Sequence, residues 1–439
     1  MAETFTVLFL PESAYGPTNQ CIGLGDVLLE RGHRVVFAAE SSWADRLSTL
    51  GFDERLIDLA EPDPEAFAED AGRFWADFIA ETAPEFRKST TEQLATFVRP
   101  TYQALINGAM YAEPTLRTII DEVRPDVLVE DNVVLFPALN TCGAPFIRIV
   151  SCNPLEVPGE RIPPAFSGLP QADPAAWRRF RAEFERTHQE MWAAFNAWVV
   201  AQGAAPLPYL EFMPRENAAN IYVYPEEADY VADRPLDDSW HRIDSSVRRT
   251  DDEYVVPKAV AERPDGSALV YVSLGSLGGA DVELMQRLVD ALAESTHRFI
   301  VSLGPRAEKI TLADNMVGAQ RLPQTRVIPH VDVVITHGGN NTVTECLHFG
   351  KPMVVLPLFW DQYDNAQRMQ ELGLGVRLAT YEFTPAQLNT AVNALLADAT
   401  LRRRADEMGA RIRARDGLTR GATIIERVGR NHAQPGRSC

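Results

Sequence analysis

The chain is 439 residues long, with 46 % hydrophobic and 23 % charged residues, the composition of a folded globular protein too long for one ordinary core, so two domains are expected. Its formal net charge of −19, from 61 acids against 42 bases, repels phosphate backbones and anionic lipids and argues against nucleic acid or a membrane surface as partner. A local pocket of backbone amides can still hold a phosphate-bearing ligand.

The N-terminus, "MAETFTVLFLPESAYG", reads as a strand that starts almost at once and not as a signal peptide. No stretch approaches the ~18 consecutive apolar residues of a membrane helix. Short apolar runs then alternate with longer helical patterns, the signature of parallel α/β sheets. Strands are predicted at "TVLFL", "HRVVFAA", "PDVLVED", "PFIRIVS" and "NIYVYP", and Gly32 ends the first helix. Residues 61–123 read as mostly helical. Residues 176–202 carry aromatics at helical spacing; they form either a helix packed on the domain or a wall of a hydrophobic cleft. Residues 233–267 are polar, broken by prolines and without period, as an interdomain linker would be. A second series follows: "ALVYVSLGS", "RFIVSLG", "TRVIP", "VDVVITHGG", "KPMVVLPL" and "GVRL". The expected fold class is α/β, two Rossmann-like domains facing each other across a cleft. Residues 1–232 form the first, 268–415 the second, and 416–439 a C-terminal helix and tail that pack back on the first. Cys21, Cys142, Cys152, Cys346 and Cys439 are scattered, with no CxxC pair, as expected of reduced thiols in a cytoplasmic protein.

Residues 321–378 hold the richest motif. "VDVVIT" is a buried strand, "HGGNNT" a glycine-rich turn and "VTECLHFG" a helix ended by Gly350. Amides at that helix start, with glycines such as Gly339 allowing close approach, make an anion site. His337, Asn341 and Thr342 add donors there. Glu345, about one helical turn on, is placed to accept from a sugar hydroxyl. Asp361 and Gln362, at the end of the next strand, can bond neighbouring hydroxyls of a hexose. Gly275 and Ser276, after "VYVSL", offer a second phosphate contact. His330 and His348 read as structural, and no HxH, HExxH or DxD cluster implies a metal.

These residues resemble the donor-binding signature of family 1, UDP/TDP-sugar-dependent glycosyltransferases of the bacterial natural-product and macrolide type. Pro323 and Gln324 match the base-contacting element. His337, Gly339, Asn341, Thr342 and Glu345 match H-x-G-x-N-[ST]-x-x-E, and Asp361, Gln362, Asn365 and Ala366 match DQ-x-x-NA. The resemblance implies a GT-B fold in which the N-terminal domain shapes the acceptor cleft and the C-terminal domain holds the nucleotide. It further implies inverting transfer of a hexose from a UDP- or TDP-sugar co-substrate to a hydrophobic small molecule, with neither metal nor cofactor. Arg321 replaces the aromatic that stacks on the base; a guanidinium plane can also stack. The family's base, a His in G-H-x-x-P after the first strand, falls on Pro17, next to Gly16, and its Asp partner on Asp131.

Pro17 cannot take a proton, and His33 lies at the wrong end of the helix. A carboxylate can act directly, from Asp131, Glu130 or Glu12, if burial raises its pKa; an acidic acceptor can need little more than positioning; or the chain binds donor without transfer. Tyr15, Pro17 and Asn19 are placed to shape or orient the acceptor. The rival functions are a non-catalytic sugar-nucleotide-binding partner protein and a GT-B sugar-nucleotide epimerase. The oligomeric state is left open.

Overall fold

The computed structural model describes residues 4–61 and 81–433; residues 62–80 of the expected 61–123 helical stretch and 434–439 of the tail lie outside the described residues. The first sheet has seven parallel strands in the order β3-β2-β1-β4-β5-β6-β7. They are β1 (Thr6–Pro11), β2 (Arg34–Glu40), β3 (Asp53–Ile57), β4 (Val127–Asp131), β5 (Phe146–Val150), β6 (Ala219–Val223) and β7 (Trp240–Ile243). The central strands are buried runs of Val, Ile, Leu and Phe, as expected where both faces are covered. The edge strands β3 and β7 are polar and partly exposed, so no apolar run marks them in the sequence. β7 falls inside the stretch read as linker, which therefore carries an edge of the first sheet.

The second sheet is also parallel, in the order β10-β9-β8-β11-β12-β13. Its strands are β8 (Leu269–Ser273), β9 (Arg298–Ser302), β10 (Met316–Ala319), β11 (Val333–Thr336), β12 (Met353–Val355) and β13 (Gly375–Arg377). "TRVIP", read as a strand, is helical: Gln324–Val327 is a short helix followed by a 3-10 turn, Ile328–His330. Pro323 at its start and Pro329 in the turn favour that conformation and would interrupt a sheet ladder. The edge strand β10 took its place.

Each sheet reverses its strand order once, between β1 and β4 in the first and between β8 and β11 in the second. Ligands in open α/β sheets bind at such points, beyond the carboxyl ends of the strands. The halves meet on this side. Phe359, after β12, packs on Phe86 and Phe97 of the first half, with ring centroids 4.8 and 5.2 Å apart. The helix Gly417–Ala433 returns to the first sheet, where Leu418, Ala422 and Ile425 join Phe5, Val7, Leu24 and Leu28 in one core. Glu426 on this helix accepts from Arg31 and pairs with His33 at 2.9 Å.

Candidate active site

In the second sheet, β8 and β11 are neighbours in register, Ser273 beside Thr336, so the turns that follow them meet. Gly275 has φ +71°, and a Cβ there would lie 2.7 Å from His337 Cε1; one at Gly339 would lie 2.6 Å from His337 Nε2. Both glycines thus make room for the imidazole, where the sequence suggested room for an anion. Burial pushes His337 down to about 4, so near neutral pH the ring carries no charge and can donate through one nitrogen. The helix Asn340–His348 starts at Gly339 without a side-chain cap, which leaves its first amides to meet an anion.

The structure brings Gln324, Thr342 and Glu345 together. Gln324 Nε2 donates to Thr342 Oγ1 at 3.1 Å and to Glu345 Oε2 at 2.6 Å, while Tyr271 donates to Gln324 Oε1. Burial raises the Glu345 carboxyl, against the pull of Arg248 and Gln324. Arg248 donates to Glu345 Oε1 at 3.3 Å and is braced by both oxygens of Asp251. Sequence reasoning missed Arg248 because it lies in the aperiodic 233–267 stretch; no local pattern marks it.

Other expected residues are placed differently. Tyr15 is engaged within the protein: its hydroxyl accepts from Arg46, its ring packs on Trp43, and the Arg321 guanidinium sits 4.7 Å from its centroid. Tyr15 thus joins the first half to Arg321 of the second. The helix Tyr15–Glu30 starts earlier than its apolar pattern, so Pro17 sits in its first turn, where proline costs no helix bond, and Asn19 just after it. Asn341 Oδ1 accepts from Gln20 at 3.0 Å, and Asn340 donates to the carbonyls of Ser151 and Val223. The Gln362 carbonyl is committed to the turn, accepting from Leu358 N and Phe359 N. Asp361 Oδ2 accepts from Asn153 N at 2.8 Å, and burial lifts its carboxyl to about 7. Asn365 bridges Asn153 and the Gly338 carbonyl. The Ser276 side chain lies outside the described residues.

The strand reversal of the first sheet holds acids. Pro11 pairs with Asp131 in the β1–β4 ladder, and Glu12 N donates to the Asp131 carbonyl. Glu12 accepts from Ala14 N and Ser13 Oγ. Desolvation nevertheless raises Glu12 to about 7, and Asp131 to about 8 against hydrogen bonds from Ser151. Neighbouring carboxylates add to this: Glu40 raises Glu12, Glu12 and Glu156 raise Asp131, and Glu156 raises Asp361. The third candidate, Glu130, is fully buried and accepts from Phe136 N, and burial raises its carboxyl well above the ordinary value.

Beside this cluster opens a cavity of about 470 Å³. Tyr102, Phe166, Phe180, Phe184 and Phe212 line it, with Arg148 and Glu156 as polar wall. Phe180 and Phe184 belong to the long helix Pro174–Ala201, so part of that aromatic stripe does wall a cleft, while Phe195 is fully buried in the core. Tyr15, Pro17 and Asn19 are not among its lining residues. Trp360, from the second half, packs on Tyr102 and Phe166 at 5.2 and 4.4 Å. The residue next to Asp361 is therefore part of the cavity's surroundings. Among the described residues, no group of three or more His, Cys, Asp or Glu could hold a metal ion, and no helix is long and apolar enough to cross a membrane.

Known proteins resemble this chain in sequence and in fold. The family described as UDP-glucoronosyl and UDP-glucosyl transferase matches residues 259–410. Demethyllactenocin mycarosyltransferase of Streptomyces fradiae is 26 % identical over 96 % of this chain and 86 % of its own length. Oleandomycin glycosyltransferase of Streptomyces antibioticus is 26 % identical over 94 % and 88 %. In structure, the glycosyltransferase of kitacinnamycin superposes with a TM-score of 0.70 at 22 % identity, over 98 % of this chain and 100 % of that one, a likeness of fold. Two parallel Rossmann-like sheets and full-length similarity to such enzymes converge: the chain is a glycosyltransferase of the GT-B fold, similar over residues 259–410 to the UDP-glucoronosyl and UDP-glucosyl transferases.

Proposed function

We propose that this transferase moves a hexose from a UDP- or TDP-sugar to a hydrophobic small molecule of natural-product type, with inversion and without metal or cofactor. The observation that carries this reading is the junction at Trp360 and Asp361. There the turn that would hold the sugar packs directly on the aromatic wall of the 470 Å³ cavity, beside the carboxylates that end the first sheet. The diphosphate would lie on His337 and the amides of the Asn340–His348 helix, the ribose on Glu345, and the base by Arg321. The relatives named above are a mycarosyltransferase and a glycosyltransferase by name, which favours transfer over epimerisation or simple binding. Cys21, Cys142, Cys152 and Cys346 are unpaired, in keeping with a cytoplasmic site of action.

Glu12 is the base in this reading. A group near pH 7 is ionised often enough to act and basic enough to take a proton, whereas Asp131, raised to about 8, stays largely protonated and serves as a neighbouring donor. The test is incubation with UDP-glucose and TDP-glucose against phenolic, macrolide and terpenoid acceptors, read by mass. A hexose added to an acceptor supports the reading. Nucleotide binding with neither transfer nor slow donor hydrolysis would leave the binding-partner function in its place.

A further inference from the structure

The cavity wall contains a charge that its surroundings do not require. Arg148 sits in the middle of β5, in register with Glu130 on β4 and Asn220 on β6. It shares a sheet face with Phe146 and Val150, which belong to the same apolar core. An aliphatic residue would pack there at no desolvation cost. Instead a guanidinium with 4 % of its side chain exposed pairs through Nη2 with Glu156, itself 11 % exposed. Arg148 Nε has no hydrogen-bond partner, although Arg148 lines the cavity. Glu130, the adjacent acid, is directed to Phe136 N, from which it accepts, and burial raises its carboxyl well above the ordinary value.

We propose that Arg148 is a specificity-determining residue that seats a carbonyl oxygen of a neutral, largely apolar acceptor; this rests on reading the cavity as the acceptor site. The guanidinium is a donor without acceptor capacity, so its complement is an oxygen lone pair. A carboxylate does not fit: it would stand beside Glu156, whose own charge is already disfavoured by burial. A second cation of the wall, the half-buried Arg181, is committed through Nη2 to the carbonyls of Gly159 and Ile162. Around the pair, Phe166, Phe180, Phe184 and Phe212 supply rings for flat apolar groups. A buried donor matched to one substrate oxygen penalises the analogue that lacks it, because the donor then stays unpaired.

Two phenols of nearly the same shape, 4-hydroxybenzophenone and 4-benzylphenol, differ in a ketone against a methylene. Their affinities for the full chain with UDP present, measured by calorimetry at a pH where both are protonated, test the seat. The wild type is expected to prefer the ketone by about tenfold or more. The double variant Arg148→Met/Glu156→Leu, which removes both charges together and so strands neither, should bind the two alike. Equal wild-type affinities, no binding of either, or a preference that survives in the double variant would overturn the proposal. If the double variant does not fold, a wild-type crystal with 4-hydroxybenzophenone decides: a ketone oxygen bonded to Arg148 supports it, and one bonded elsewhere refutes it. Transfer of glucose to both phenols with equal affinity would leave the transferase reading standing while removing the carbonyl seat.

Discussion

The two sheets place opposite chemistry at equivalent positions. Where the first reverses its strand order, between β1 and β4, stand Glu12 and Asp131, both pushed upward by burial. Where the second does so, between β8 and β11, stand Gly275, His337 and Gly339, with the imidazole held uncharged. On the proposed function, one tip exchanges a proton and the other donates hydrogen bonds to an anion. The difference shows that the topology supplies the location while a few residues after each strand decide the work done there.

The largest effect should come from the acid tip. Glu12→Gln is expected to lower kcat by about 10²–10⁴ and leave the UDP affinity unchanged, with a smaller loss for Asp131→Asn. Because the base acts when ionised, wild-type kcat should rise with pH and level off above about 7, where Glu12 is deprotonated. Glu12→Gln should lose that limb. A variant that keeps both turnover and limb would move the proton-taking role away from this tip.

At the donor tip, His337→Ala and Glu345→Ala should each weaken UDP binding about 10- to 100-fold, measured by calorimetry. Affinity unchanged in both would mean that the nucleotide sits elsewhere and that the contrast between the tips is false.

The smallest effect concerns how the halves are joined. Asp364 accepts from Phe166 N at 2.6 Å and Gly168 N at 2.8 Å, and burial raises it to about 8. A carboxyl whose folded pKa exceeds its unfolded value stabilises most below the unfolded pKa, and that contribution is lost as pH rises through the folded one. The wild-type Tm should therefore fall between pH of about 4 and 8, and Asp364→Asn should fall less over that window, by about 1–3 °C. Parallel curves would show that this carboxyl stays ionised throughout.

The donor tip was legible because its residues lie close in sequence: His337, Thr342 and Glu345 occupy one turn and one helix, and spacing alone puts them together. The cavity was not, because Arg148, Glu156 and Phe212 come from a strand interior and separate loops, and no period links them. The aromatic stripe of 176–202 was visible, but not which of its rings would face a cleft. β3, β7 and β10 were missed because edge strands need not be apolar on both faces. Tyr15 was assigned to the acceptor since it follows β1, yet a guanidinium from the other half takes its ring.

The return of the helix Gly417–Ala433 to the first sheet bears on how such enzymes can be recombined. Along the chain the second sheet is an insertion, with both its ends tied to the first. A chimera that exchanges everything after the middle of the chain would bring in a foreign helix against Phe5, Leu24 and Leu28 and would part Glu426 from Arg31 and His33. An exchange with two junctions, one on either side of the second sheet, would carry the new donor specificity and keep the native clasp.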